Sequence, residues 1–197
     1  SLKSGKTLTM LEKYKTIQQA TEFTCGVTSM LTVLDWFGAR GDLNEINLAD
    51  LRDKKDGKPG TTVQEMLNVI QKLPGKWDVK SSRDIVKGDS NLEAGIMIDG
   101  KYTDLGDMIP YYIKKGIPVM VMWHEWGGHY QTIIGYDTMG TEATCDDVLI
   151  LADPYDTTDH NQDGYVTESY ERLIYDWGNN YDDDVDWAAF VVMSPAK

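Results

Sequence analysis

Cys25 stands where the polar stretch Gln18-Gln19-Ala20-Thr21-Glu22-Phe23-Thr24 gives way to an apolar-periodic run of Val27, Met30, Leu31, Leu34, Trp36 and Phe37. That spacing predicts a helix beginning at the cysteine. A thiol so placed faces unpaired N–H donors and the positive end of the macrodipole, which favour the nucleophilic thiolate. Gln19, six residues upstream, carries an amide able to donate to an oxyanion forming beside the sulfur. Gln18 is its competitor. The chain has three histidines to act as the base: His124, His129 and His160.

His129 follows Gly127-Gly128 and opens the β-prone run Tyr130-Gln131-Thr132-Ile133-Ile134-Gly135-Tyr136-Asp137. A second strand-like run, Val148 to Ala152, ends at Asp153-Pro154. A hairpin with its turn near Thr141 would set His129 and Asp153 side by side, since both are equidistant from that point. Asp153 would then hold the ring and its tautomer while the other nitrogen faces Cys25. Register decides this, because a one-residue slip turns the carboxylate away. Asp137 is a rival orienter, but eight residues of extended strand put it about 26 Å from His129 at ~3.3 Å per residue. His124 is the alternative base. Cys145, beside Asp146 and Asp147 in a polar stretch, reads as incidental, and a disulfide between it and Cys25 would consume the nucleophile.

Gln19…Cys25-Gly26, Gly128-His129-Tyr130…Gly135-Tyr136-Asp137 and Asp153-Pro154 resemble the papain-like cysteine peptidases. Among them the branch related to the double-glycine leader peptidases, which process bacteriocins, is the most similar. The resemblance spans roughly Gln18 to Pro154 and is strongest at the Cys and His–Asp blocks. It implies Cys25 as nucleophile, His129 as base and acid, Asp153 as orienter and Gln19 as oxyanion donor. Phytochelatin synthases are also similar in their Cys-Gly start and later Gly-His block, which implies acyl transfer as an alternative.

The length, 197 residues, suits one domain spanning 1–197 with a substantial core. With 41% hydrophobic residues and well-distributed charge, the composition argues against disorder. A net charge of −13 disfavours nucleic acid and anionic membranes as partners and would attract a mildly cationic peptide. No run approaches the ~20 apolar residues of a membrane span. Two cysteines are too few for a disulfide framework. A chain beginning at Ser1 is read as processed, which with the calcium motif below favours an extracellular or cell-surface protein.

The elements that must position these groups read as helices first, strands afterwards. Helical spacing covers 25–38, 43–51, 62–73 and 104–115, with a Thr62/Glu65 capping box on the third and Pro110 inside the fourth. Strands are expected near 118–123, 129–136, 147–152 and 187–193. This is an α+β pattern, papain-like, with the Cys on an N-terminal helical half and the His and Asp on a C-terminal antiparallel sheet.

A further motif, Asp159-His160-Asn161-Gln162-Asp163-Gly164-Tyr165-Val166, fits the opening of a calcium loop. Asp159, Asn161 and Asp163 offer side-chain oxygens and Tyr165 its carbonyl. Position twelve is Tyr170, so Glu171 or Glu168 would complete the set, or Asp156 from upstream. An oxygen-only set argues against zinc despite His160. Calcium here would be structural, and no cofactor is required for catalysis. The reading is therefore a peptidase with a Cys-His-Asp triad acting on peptide or protein substrates. Its alternatives are an acyl transferase, or an inactive calcium-stabilised peptide-binding domain.

Overall fold

The computed structural model describes residues 3–21, 24–53, 60–86, 94–123, 128–156, 163–178 and 188–197. His124, Asp159, His160 and Asn161 lie outside these residues.

Strand side chains alternate between two faces, and here both faces are apolar. On β5 (Val119–Trp123) and β9 (Phe190–Pro195), Met120, Met122, Val191 and Met193 join the core formed with α1 (Cys25–Trp36) and α3 (Val63–Lys72). Val119, Val121, Phe190 and Val192 join a second core with α4 (Leu105–Lys114) and α5 (Tyr170–Gly178). A sheet buried on both sides between helical layers is the result. The remaining strands are β1 (Leu8–Met10), β2 (Trp77–Ser81), β6 (His129–Asp137), β7 (Val148–Ala152) and β8 (Tyr165–Ser169). The order is β2-β9-β5-β6-β7-β8, with β1 alongside β6, and the pairings among the described residues are antiparallel. A separate hairpin joins β3 (Gly95–Ile98) to β4 (Lys101–Asp104). No described helix is long and apolar enough to cross a membrane.

The helices follow their local signals. α3 opens on the expected capping box: the Glu65 N–H donates to Thr62 Oγ1 at 3.1 Å and the Thr62 N–H to Glu65 Oε1 at 3.0 Å. α4 survives Pro110, which removes the bond to the Gly106 carbonyl, because Met108, Ile109, Tyr112 and Ile113 are buried around it. The 43–51 segment is shorter than its spacing suggests, with α2 confined to Glu45–Ala49 and a 3-10 turn over Asp50–Arg52.

The α+β class is as expected, but the order of elements is not simply helices then strands. β1 and β2 come from the first part of the chain and enter the same sheet, β2 as an edge beside β9 and β1 beside the distal half of β6. Short strands like these are defined by partners far away in sequence rather than by local periodicity.

The β6–β7 hairpin controls the site. Near its turn Gly135 pairs with Ile150, whereas further on Ile133 pairs with Leu151 and Thr132 with Ala152, so Ile134 is an extra residue on β6. Such a bulge reverses which residues share a face. Continuing the register one step sets Gln131, not His129, level with Asp153. His129 lies two residues along and therefore keeps the same parity. The turn centred on Thr141 was thus the wrong register with a compatible outcome; without the bulge, Thr132 would be level with Asp153. β1 holds the bulge from outside. The Leu11 N–H donates to the Ile134 carbonyl at 2.8 Å, and a Cβ on Gly135 would lie 2.8 Å from the Thr9 carbonyl oxygen.

Candidate active site

α1 begins at Cys25, as its spacing predicts, and packs against β6. Gly26 sets how closely. A Cβ there would come within 3.0 Å of the Thr61 Cβ and 3.2 Å of the Tyr130 ring. The Cys-Gly pair thus has a steric meaning: the glycine lets the start of the helix lie against the residue following His129. Arg52 fixes the other wall, donating to Thr61 Oγ1 at 3.1 Å and to the Gly60 carbonyl at 2.7 Å. Both cysteines are free thiols, Cys25 buried and Cys145 exposed, so no disulfide joins them.

Nε2 of His129 lies 2.6 Å from Oδ1 of Asp153, and both side chains are buried. With Nε2 so engaged, Nδ1 is the nitrogen left for Cys25, which is near enough to act on the titration of the ring. Burial acts most strongly on the imidazole and pushes its pKa down. The hydrogen bonds to Asp153 and Cys25 and the charges of both outweigh it, raising His129 to about 9.

The carboxylate is only 3% exposed, so its charge requires donors. Oδ1 takes the Tyr155 N–H at 2.8 Å in addition to the ring. Oδ2 takes Nε2 of Gln131 at 2.6 Å. The backbone of Asp153 is held as well: its N–H donates to the Gly164 carbonyl at 2.8 Å, and its carbonyl accepts from Gln18 Nε2 at 2.9 Å. Gln18 also accepts the Asp156 N–H at 3.1 Å, so it braces the turn after Asp153 rather than competing for the thiol. Asp137 sits at the far end of β6, paired with Val148, and is no orienter.

The loop before Cys25 is tied to the same turn, the Gln19 N–H donating to the Pro154 carbonyl at 2.8 Å. Its side-chain Nε2 donates to the Thr21 carbonyl at 2.6 Å, while Oε1 is buried without a partner among the described residues. Both oxygens of Glu45 accept the Ala20 N–H at 3.0 Å, and one also accepts the Thr24 hydroxyl. Thr24, the N-cap of α1, therefore makes no side-chain cap to the helix that carries the thiol.

Gln131 escaped sequence reasoning, although its alternate spacing from His129 on a strand facing Asp153 was a usable signal. The metal expectation divides. Asp159 and Asn161 lie outside the described residues. Asp163 sits at the head of β8, with its Oδ1 accepting the Tyr165 N–H at 2.9 Å, and Gly164 follows at φ +81°. Glu171 does not belong with them. β8 runs from Tyr165 beside Ala152 to Ser169 beside Val148, and Glu171 follows in the first turn of α5. Four extended steps from Tyr165 to Ser169 span about 13 Å, and Glu171 lies beyond that far end of β8, away from Asp163 at its head. The carboxylate that the fold does bring here is Asp156, whose Oδ2 accepts the Gly164 N–H at 3.0 Å.

The raised His129 pKa has a consequence for stability. A free imidazole titrates near ~6.5, so the charged ring's contribution to folding is complete below about pH 6.5 and is lost as pH rises through about 9. In Asp153→Asn the hydrogen-bonded charge pair is gone. The melting temperature of the wild-type protein should exceed that of Asp153→Asn most at about pH 6, and the gap should narrow towards pH 10. A gap that widens with pH would contradict the pairing.

Comparisons with known proteins agree with this geometry. The model of the Peptidase C39 like family matches residues 11–182. No curated protein sequence matches the chain. Among solved structures, the chain is similar to the peptidase domain of Streptococcus ComA, a bi-functional ABC transporter involved in a quorum sensing pathway. The identity is 19% and the TM-score 0.53, with 93% of this chain and 99% of that one covered, a likeness in fold. With the family model covering most of its length, the chain belongs to the Peptidase C39 like family and is a cysteine peptidase with a papain-like fold.

Proposed function

We propose that this peptidase cleaves peptide bonds through a thioester on Cys25, with His129 as base and acid and Asp153 as orienter. The observation that carries the reading is the 2.6 Å contact between His129 Nε2 and a buried carboxylate, with Cys25 acting on the same ring. Nδ1 of His129 takes the Cys25 proton, and the thiolate attacks the scissile carbonyl carbon. The resulting oxyanion is met by the Cys25 backbone N–H and by Gln19. For Gln19 to donate to the oxyanion, its Nε2 must leave the Thr21 carbonyl to which it is bonded. The tetrahedral intermediate collapses as the imidazolium protonates the leaving amine, leaving the acyl group on sulfur. His129 then deprotonates a water, which attacks the thioester and releases the carboxylate product and the thiol.

Cys25→Ala should abolish turnover of a mixed peptide library in a protein that still unfolds cooperatively; Cys145→Ala should leave turnover unchanged. Added amines would be incorporated into product only if transfer competes with hydrolysis. Turnover that survives Cys25→Ala would contradict the reading.

We further propose that the turn leading into β8 binds calcium, as a brace rather than a catalytic ion. Supporting this are the oxygen-rich sequence pattern, the left-handed Gly164 at its sixth position and the buried Asp156 beside it. The Asp153 N–H bond to the Gly164 carbonyl links this turn to the active site. An extracellular setting suits the roughly millimolar affinities of such modules. Millimolar calcium should raise the melting temperature and a chelator lower it, with the effect lost in Asp163→Asn and kept in Glu171→Gln. A melting temperature indifferent to calcium would dismiss the site.

A further inference from the structure

The side chain of Gln131 is almost fully buried, and no family motif quoted above includes it. Its Nε2 donates to Asp153 Oδ2 at 2.6 Å, as short as the His129 contact on the other carboxylate oxygen. Its Oε1 is buried with no partner among the described residues. A residue serving only to fill this volume would be apolar, since a buried amide oxygen without a donor is costly. What the amide gains in return is a single bond, and that bond is to the orienter.

We propose that Gln131 is a positioning residue for catalysis, acting through Asp153, whose carboxylate it holds aimed at His129. This rests on the Cys25–His129–Asp153 reading above. The amide suits the task in two ways. It is a permanent donor that cannot take a proton, so Oδ2 always meets an N–H. Its place on β6, two residues from His129 and level with Asp153 across the hairpin, ties the orienter to the strand that carries the base. Rotation of the carboxylate away from the ring would break both short contacts at once.

Among the described residues, the charged and titratable groups around this pair are these. His129 lies on β6 itself, and Cys25 stands at the start of α1. Asp156, in the turn after β7, has Oδ2 directed to the Gly164 N–H. Tyr14 is bonded to Thr32 on α1, and Tyr165 on β8 donates to the Tyr14 carbonyl. An added carboxyl at position 131 would therefore have Asp153 as its immediate neighbour.

Two substitutions separate positioning from packing. Gln131→Glu is nearly isosteric and donates to Oδ2 only while its carboxyl is protonated. Gln131→Leu fills the space and never donates. The readout is the rate of Cys25 alkylation by iodoacetamide, followed by mass spectrometry from about pH 4 to 8, with Cys145 as internal reference. Wild type and His129→Ala are run beside the variants, and melting temperatures report folding. In Gln131→Glu, Cys25 should react within about twofold of wild type at the acid end and fall about tenfold as the introduced carboxyl ionises. That step should lie above the ~4.3 of an ordinary glutamate, because two adjacent buried carboxylates resist ionising together. Gln131→Leu should show a loss of about tenfold at every pH, without the step.

If Gln131→Glu and Gln131→Leu both match wild type, or lose the same factor at all pH values, Gln131 is packing and the proposal is overturned. The Gln131→Glu comparison is made within one protein across pH, so it stands even if Gln131→Leu fails to fold. If wild-type Cys25 reacts no faster than His129→Ala, the triad itself fails and takes the proposal with it.

Discussion

A carboxylate buried at 3% exposure is the constraint around which this molecule is built. Stripped of a partner, a buried charge of this kind costs about 3–5 kcal/mol, a large share of the ~5–15 kcal/mol that holds a domain folded. Asp153 meets that cost with three donors: the His129 ring, the Tyr155 N–H and the Gln131 amide. In the proposed mechanism each donor also serves the chemistry. The ring is oriented by the bond it makes, the amide fixes the second oxygen, and the Tyr155 N–H closes the turn that keeps Asp153 at the end of β7. Stability and reactivity here draw on the same contacts.

Bringing the thiol to that ring is a packing problem, and glycine solves it at two places. Gly26 allows the N-terminus of α1 to lie against Tyr130 and Thr61, within reach of the residue before Tyr130. Gly135 allows β1 to press on β6 beside the bulge that sets the parity of His129, Gln131 and Asp153. The loop before Cys25 is in turn pinned to both halves, by Pro154 on the sheet side and Glu45 on the helical side. The central helix, the hairpin and the two flanking segments act as one clamp on the thiol–imidazole pair.

Much of this was legible from residue types and spacing. The helix at Cys25, the β-prone run after His129 and the Asp153-Pro154 strand end are local signals, and each appears where expected. The register of the hairpin was not legible. Its bulge depends on β1, which meets β6 from more than a hundred residues away in the chain, and no window of sequence contains both. β2 and β8 were missed for the same reason, being strands because β9 and β7 pair with them. The missing β8 also misplaced Glu171, since a loop that curls back after Tyr165 could have delivered it to Asp163, whereas an extended strand carries it away. α5 was available in principle through Leu173 and Trp177 at helical spacing, both now fully buried.

The central claim is that His129 holds a proton between Cys25 and Asp153, and the direct measurement is the titration of the His129 ring by NMR in wild type and Cys25→Ala. The account predicts a wild-type pKa near 9, above the ~6.5 of free imidazole, and a clear fall when the sulfur is removed, because Cys25 is one of the groups that raise it. A wild-type ring titrating at or below ~6.5, or one unmoved by Cys25→Ala, would show that thiol and imidazole are neighbours without being a catalytic pair.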